Sequence, residues 1–368
     1  MKIDITLEEA YARASKGLRR KMEYSINLLQ RAEKLALAYD NRGGYFLAFS
    51  GGKDSQTLYH IAQLAGVRFE GHMNLTSVDA PEVIRFVRKH YPEVELIKPK
   101  DSIYHVAERK QLLPTKKVRW CCEEYKEHAG AGKVTLIGIR RQESSRRKKR
   151  NEVEIDSRKY SGTLDGLDEY RKAKGINITN ATEETTIGCI SGKESLLISP
   201  IINWTERDVW KFLNDVVRVP HCELYDQGFH RIGCIGCPMS NPRQKRIENE
   251  RWPHVRRNWI KAIISIRHGG VFLKILTNGN PVVRYWNQLQ TAIQRRQSTI
   301  TGTSCTQTRH IGKGKRGFSS SSSSDGLTDE QEHEIAENIY DWWISGMSYK
   351  RWYAERFLQY ELEFDGYL

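Results

Sequence analysis

The sequence predicts an α/β protein: a doubly wound parallel sheet followed by a basic helical C-terminal appendage. Three observations point there. Short apolar runs such as YFLAF at 45–49 end in glycine turns, as buried strands do. Segments of helical periodicity alternate with those runs, the pattern of strands joined by crossover helices. Beyond Pro242 the composition turns basic and aromatic and helical spacing resumes.

In order along the chain, residues 1–40 read as helical, because Leu28, Leu29, Ala32, Leu35 and Ala36 recur at helical spacing. Strands are expected at Tyr45–Phe49, Val67–Leu75, Val94–Ile97 and Val134–Ile137, the last ending at Gly138. Between them lie helices over Gln56–Ala65 and Pro81–His90, the second with Val83, Ile84, Phe86 and Val87 on its apolar side. Residues 146–195 are polar and weakly periodic, which predicts a mobile basic loop with a small inserted segment. Thr205–Leu213 is expected as a helix, with Thr205 as N-cap and Asp208 in the first turn. The serine run Ser319–Ser324 reads as a linker. The boundaries that follow are an N-terminal helical segment 1–40, an α/β domain 41–240, a basic helical region 241–318, a linker 319–326 and a terminal helical element 327–368.

The chain has 368 residues, 39% hydrophobic and 28% charged, and no apolar run approaches the roughly 20 residues that cross a bilayer. The N-terminus lacks the apolar stretch of a signal peptide. A cytoplasmic location without membrane contact is therefore expected. In that setting seven cysteines are poor evidence for disulphides, and the spacing of four of them favours metal ligation. The net charge of +14 is clustered. One cluster holds Arg140, Arg141, Arg146, Arg147, Lys148, Lys149 and Arg150; the other runs from Arg243 to Lys261 with Trp252 and Trp259 interleaved. Such surfaces attract polyanions, so a nucleic acid is an expected partner, weighed against a merely solvated face.

SGGKDS at Ser50–Ser55 follows an expected strand and opens an expected helix. Its glycines let the backbone approach an oxyanion, and the helix N-terminus offers free N–H groups. Ser50 and Ser55 supply hydroxyls and Lys53 a charge. The spacing differs from the GxxxxGK[ST] loop.

Cys121 and Cys122 are adjacent, and Cys234 and Cys237 form a CxxC in which Gly233 and Gly236 permit a tight turn. Four thiolates from two distant segments suit an iron–sulphur centre or a zinc site, with a reactive free thiol as a further alternative. Cys222 is a substitute ligand for Cys122, while Cys189 and Cys305 are left over. Arginine forks match phosphate or sulphate oxygens, which makes Arg140, Arg146 and Arg147, flanking Ser144, binding candidates.

With these segments in view, the chain resembles the phosphoadenosine-phosphosulphate (PAPS) reductase family of the PP-loop ATP-pyrophosphatase, adenine nucleotide alpha hydrolase-like superfamily. SGGKDS looks like its PP-loop. SVDAPEV at Ser77–Val83 resembles its second-strand segment, with Ala80 and Pro81 in place of Thr-Gly. RWCCEEYK at Arg119–Lys126, GIRRQESSRR at Gly138–Arg147, SPIINWTERDVWKFL at Ser199–Leu213 and LYDQGFHRIGCIGCPM at Leu224–Met239 match further motifs in the family's order.

The resemblance implies that ATP or another adenine nucleotide is held by Ser50, Gly51, Gly52, Lys53, Asp54, Ser55, Asp79, Gly138, Arg140, Glu143, Ser144 and Arg147. Lys53, Asp54, Arg140 and Cys122 become the catalytic candidates, and Glu143 orients an arginine. By analogy with the adenylylsulphate-reducing branch, Cys121, Cys122, Cys234 and Cys237 would hold a 4Fe–4S cluster, zinc being the alternative. His128, His221 and His230 read as structural, and Tyr225–Asp226 as packing for the cysteine loop.

Three functions compete. A sulphonucleotide (APS/PAPS) reductase uses a thiolate in a C-terminal Glu-Cys-Gly-Leu-His type motif; RFLQYELEFDGYL contains no cysteine, and Cys305 in TGTSCTQTRH sits in another context. An ATP-using sulphur transferase, resembling the DNA-phosphorothioation sulphur-insertion proteins, would adenylate its substrate with Mg2+, release pyrophosphate and take sulphur from a donor such as a cysteine desulphurase or a thiol reductant. This second function is the expected one. The third is a nucleic-acid-binding module with a vestigial nucleotide site.

Overall fold

The computed structural model describes residues 1–116, 118–127, 130, 132–155, 196–268, 289, 328–347, 351, 352 and 355. Its organising element is a six-stranded sheet of β1 (Tyr45–Ala48), β2 (Phe69–Asn74), β3 (Glu95–Ile97), β4 (Val134–Leu136), β5 (Val153–Ile155) and β6 (Leu196–Ile198), in the order β3-β2-β1-β4-β6-β5. All neighbours run parallel except the edge pair β5–β6. Tyr45, Phe46 and Leu47 are all buried, so both faces of the central strand are covered, as a parallel sheet requires.

Helices α1 (Leu7–Arg13) and α2 (Lys16–Tyr39) precede the sheet, each started by a hydroxyl cap, Thr6 and Ser15. The chain then winds β1, α3 (Lys53–Ala65), β2, α4 (Pro81–His90) and β3. Tyr45 and Leu47 share a face with Phe69 and Gly71 through the strand register. On that face Tyr45 donates its hydroxyl to the Leu29 carbonyl of α2, and Tyr59 of α3 meets Phe69 edge-on. The opposite face stacks Phe46 on His72 at 4.2 Å.

β4 lies on the far side of β1 from β2, so the winding direction reverses between β1 and β4. Such a reversal opens a crevice at the carboxyl ends of the two strands, where ligands bind in open α/β sheets. The loop after β1 is SGGKDS and the loop after β4 begins with Gly138.

The expected strands are present with ends shifted by a residue or two, and the Pro81–His90 helix has its expected bounds. Helix α3 begins at Lys53, three residues before its expected start, because Gly52 provides the extended cap residue. The segment expected as a loop from 146 contains part of α7 (Ser145–Lys148) and β5, and β6 was not anticipated; residues 156–195 lie outside the described residues. The helix expected over Thr205–Leu213 is α8 (Glu206–Lys211), continued as a π-helical turn Phe212–Val216, with Thr205 capping as anticipated.

The described chain divides into two compact units: Met1–Lys100 with Trp120–Cys234, and Asp101–Arg119 with Ile235–Leu368. The first holds the sheet. The second is helical, with α5 (Ile103–Lys110), α9 (Pro242–Arg251), α10 (Pro253–His268) and α11 (Asp329–Ser345). Its core pairs Trp259 of α10 with Trp343 of α11 at 4.9 Å and with Tyr104 of α5 at 5.1 Å. Trp252 and Trp259 are therefore core residues: they pack inside the helical unit and offer no stacking surface beside the basic side chains. The serine linker and Cys305 fall outside the described residues. Among those described, no helix is long and apolar enough to cross a membrane.

Candidate functional site

The phosphate-type turn is built as its sequence implies. Gly51 has φ +70°, and a Cβ there would come within 2.7 Å of Val83 Cγ1 and 2.9 Å of Val87 Cγ2 on α4. Only glycine fits both the left-handed backbone and the packing. Ser55 closes the loop: its hydroxyl accepts the Ser50 N–H at 3.2 Å and donates to the Gly52 carbonyl at 2.8 Å. Gly52 gives α3 no side-chain cap. The N–H groups of the first turn therefore need partners from outside the helix.

Gly138 brings the second loop against the first. A Cβ at Gly138 would lie 2.9 Å from the Asp54 carbonyl oxygen and 3.3 Å from the Ser55 nitrogen. This close approach lets Arg140 reach α3. Its Nε donates to Asp54 Oδ1 at 2.6 Å, and the guanidinium is buried. Burial pushes the Asp54 carboxyl above its ordinary value, with Arg140 and Lys53 pulling the other way. Glu143 accepts the backbone N–H of Arg140 at 2.8 Å and pairs with the Arg147 guanidinium. Ser144 caps α7 by accepting the Arg147 N–H at 3.2 Å.

Lys53 is buried, and its ammonium is enclosed by fixed oxygens. Nζ donates to the His230 carbonyl at 3.1 Å, lies 3.4 Å from Glu206 Oε1 and 3.8 Å from Asp54 Oδ2, and sits 5.5 Å from the Tyr225 ring centroid. The Tyr225 hydroxyl accepts the Lys53 N–H at 2.9 Å. Sequence reading gave Tyr225 to the cysteine loop; the structure puts its hydroxyl at the mouth of α3. Glu206 was passed over as the first residue of a helix. The clue for both lay in their place inside family motifs, which spacing alone does not decode.

The first basic cluster is largely committed internally, which corrects its reading as a polyanion surface. Arg140 is tied to Asp54, Arg141 to Asn203 and the Arg150 carbonyl, Arg147 to Glu143, and Arg150 to Glu154. Lys148 and Lys149 remain exposed. His221 pairs with Asp226 at 2.9 Å, while His128 lies outside the described residues.

The cysteines stand differently. Cys121 and Cys122 end the short helix α6 (Trp120–Cys122), and neither they nor Cys222, Cys234 or Cys237 form disulphides. Cys222 is fully buried. Cys234 is joined to Asp79 by an antiparallel bridge, Thr76 Oγ1 lies 3.4 Å from its Sγ, and Lys126 Nζ lies 3.2 Å from the same sulphur. Cys234 holds the Lys126 ammonium above its ordinary range. The Asp79 carboxylate accepts the Thr76 N–H at 2.5 Å. Cys237 belongs to the helical unit, where buried Glu248 accepts the neighbouring Gly236 N–H at 2.7 Å. Among the described residues no group of three or more His, Cys, Asp or Glu side chains is placed to hold a metal ion.

A parallel sheet with its winding reversal beside a glycine-serine loop and a buried Lys–Asp–Arg set defines an α/β protein of the adenine nucleotide alpha hydrolase-like kind. A profile of the phosphoadenosine phosphosulfate reductase domain matches residues 44–240. The chain belongs to that family. It is 29% identical over 227 residues to an uncharacterized protein of Methanocaldococcus jannaschii, covering 59% of this chain and 46% of the relative. It is 43% identical over 44 residues to an adenosine 5'-phosphosulfate reductase of Oceanobacillus iheyensis, covering 12% of this chain and 18% of that protein. Among solved structures, Candida glabrata FMN adenylyltransferase in complex with FAD and inorganic pyrophosphate aligns with a TM-score of 0.38 at 12% identity, covering 62% of this chain and 71% of that one. The chain spans less than half the length of the two Methanocaldococcus jannaschii relatives that it matches, at 46% and 40%.

Proposed function

We propose that this protein binds ATP at Ser50–Ser55 and uses it to activate an oxygen of a nucleic acid for replacement by sulphur. The observation that supports this most is the Lys53–Asp54–Arg140 set, with Lys53 and Arg140 buried, at a helix N-terminus to which Gly52 gives no side-chain cap, beside a glycine turn suited to a phosphate. Backbone N–H groups at Gly52 and Lys53 and the Lys53 ammonium suit the charge that builds on a departing pyrophosphate. In the reaction, the acceptor oxygen attacks the α-phosphorus and the α–β bridging bond breaks. Mg2+ enters with the ATP phosphates as part of the substrate. A sulphur nucleophile then takes the place of the adenylated oxygen and AMP leaves; where the donor is a persulphide, a thiol reductant supplies the two electrons. Asp79, Glu143, Ser144 and Arg147 hold the loops around the nucleotide.

No step runs through an iron–sulphur cluster. The cluster on Cys121, Cys122, Cys234 and Cys237 is checked directly by iron and acid-labile sulphide content after anaerobic purification.

The test of the main reading is pyrophosphate release from ATP with and without DNA and RNA, in the wild type and in Lys53→Met. Nucleic-acid-dependent release that Lys53→Met abolishes is the expected result. The likeness to an adenosine 5'-phosphosulfate reductase supports a second reading, reduction of APS or PAPS. Thiol-dependent sulphite release without ATP cleavage would establish it instead. Failure to bind any adenine nucleotide would leave a nucleic-acid-binding module.

A further inference from the structure

The second basic cluster differs from the first in what its side chains touch. Two of its cations are structural. Lys245 is buried and donates to the Ile344 carbonyl at 3.1 Å, and Arg256 pairs with Glu337 at 2.8 Å and Asp341 at 3.6 Å on α11. The rest point outward. Between residues 242 and 261 the exposed charged side chains are five cations, Arg243, Arg246, Arg251, Arg257 and Lys261, and one carboxylate, Glu250. The only other acid in that stretch, Glu248, is buried and spent on Gly236 and Gln244. Among the described residues Arg243, Arg246, Arg257 and Lys261 have no ion pair.

Their spacing places them together. His254, Arg257, Asn258 and Lys261 follow at intervals of three and four, one exposed face of α10, and Arg243, Arg246 and Glu250 do the same on α9. Helix α11 of the same unit carries acids instead, with Asp329, Glu330 and Glu332 in its first turn. Exposed cations left without carboxylates repel each other, and a partner that supplies regularly spaced anions relieves that repulsion.

We infer that the exposed face of α9 and α10 docks a nucleic acid by its phosphate backbone. The inference names a surface for the acceptor in the proposed function and rests on that reading for its biological purpose. Because Trp252 and Trp259 are buried, the face offers charge without base stacking, so binding is insensitive to sequence and steep in salt.

The experiment uses the full chain and a fluorescent 20-mer, as single-stranded DNA, duplex DNA and RNA, titrated by anisotropy at several salt concentrations. The comparison variant combines Arg243→Glu, Arg246→Glu, Arg257→Glu and Lys261→Glu; a second variant changes the three arginines to lysine and keeps the charge. With four phosphate-facing cations reversed, the log–log salt slope falls by about 3 to 4 and affinity near 0.1 M salt drops at least about tenfold. The lysine variant stays close to wild type, and an unchanged circular dichroism melt shows that the reversal variant is folded. Equal binding by wild type and the folded reversal variant overturns the inference, as does a wild type that binds polyglutamate but no oligonucleotide. Oligonucleotide binding lost on charge reversal, with no pyrophosphate release by the wild type, keeps the surface and sinks the sulphur-transfer reading. Nucleic-acid-stimulated pyrophosphate release that survives the reversal does the opposite.

Discussion

The phenolic oxygen of Tyr225 accepts the backbone N–H of Lys53 at 2.9 Å, although 172 positions separate the two residues. That N–H belongs to the first turn of α3, where an anion would bind. Trp210 meets the Tyr225 ring edge-on at 5.0 Å and His221 at 6.1 Å, so the hydroxyl is held in place by its neighbours. A phosphate oxygen and the tyrosine hydroxyl compete for one donor. Tyr225→Phe keeps the ring and removes the competitor, and ATP binding measured by calorimetry tightens about fivefold, the worth of one ordinary hydrogen bond. A weaker affinity in the variant would instead make the hydroxyl part of the phosphate site.

Arg140 and Asp54 form a largely buried pair at 2.6 Å. Removing one member leaves the other charge uncompensated, which costs about 3–5 kcal/mol. Arg140→Met is therefore expected to lose that much in urea unfolding. Adding Asp54→Asn recovers part of the loss, because the orphaned carboxylate is gone. Nucleotide binding stays impaired in the double variant, which separates the pair's structural share from its part in the site.

Gly51 and Gly138 admit no side chain for different reasons. Gly51→Ala meets Val83 and Val87 as well as an unfavourable φ, whereas Gly138→Ala pushes directly on the backbone of α3. Each costs about 1–3 kcal/mol by overpacking. Nucleotide affinity falls in both, since the two loops no longer approach. A Gly138→Ala variant with wild-type affinity would show that the β4 loop takes no part in the site.

His60 is buried in α3 with a pKa lowered to about 4 from the ordinary 6.5. Burial is the main cause; the N-terminal amine also lowers it, while Gln63 and Glu93 act the other way. Its Nδ1 faces Gln63 Oε1 and its Nε2 the Tyr91 hydroxyl, both at 2.9 Å, a pairing that suits the neutral ring. Between pH 6.5 and 4 the unfolded chain takes up a proton at this position and the folded chain does not. Stability therefore falls as pH drops through that window, by on the order of 3 kcal/mol. Urea midpoints across it should be flatter in His60→Gln. An equally steep fall in that variant would assign the acid sensitivity to other groups.

Much of this was legible in the sequence where local chemistry decides structure. Pro81–His90 was found to the residue because proline starts the helix and Val83, Phe86 and Val87 mark its buried side. SGGKDS was legible because a left-handed glycine and a hydroxyl-closed loop leave a local signature. β6 was missed: LLI is three residues long, and its partners Val134–Leu136 lie far away in the chain. Helix α3 was shortened because it is buried on nearly every side, so its polar first turn shows no amphipathic stripe. Tyr225 was misassigned because a contact across so long a separation has no period to betray it. The two basic clusters look alike as strings of letters; ion pairing, which depends on the fold, distinguishes them.

The edge of the sheet has a consequence for how this chain tolerates change. It leaves the sheet at Ile155 and re-enters at Leu196, and these two residues are register partners in the antiparallel pair. Whatever length of polypeptide joins them begins and ends at one spot. Closing a loop there costs free energy that grows only with the logarithm of its length. The junction is thus a natural insertion point: a reporter whose own termini lie close together should be accommodated next to Ile155 or Leu196 with the β5–β6 register kept.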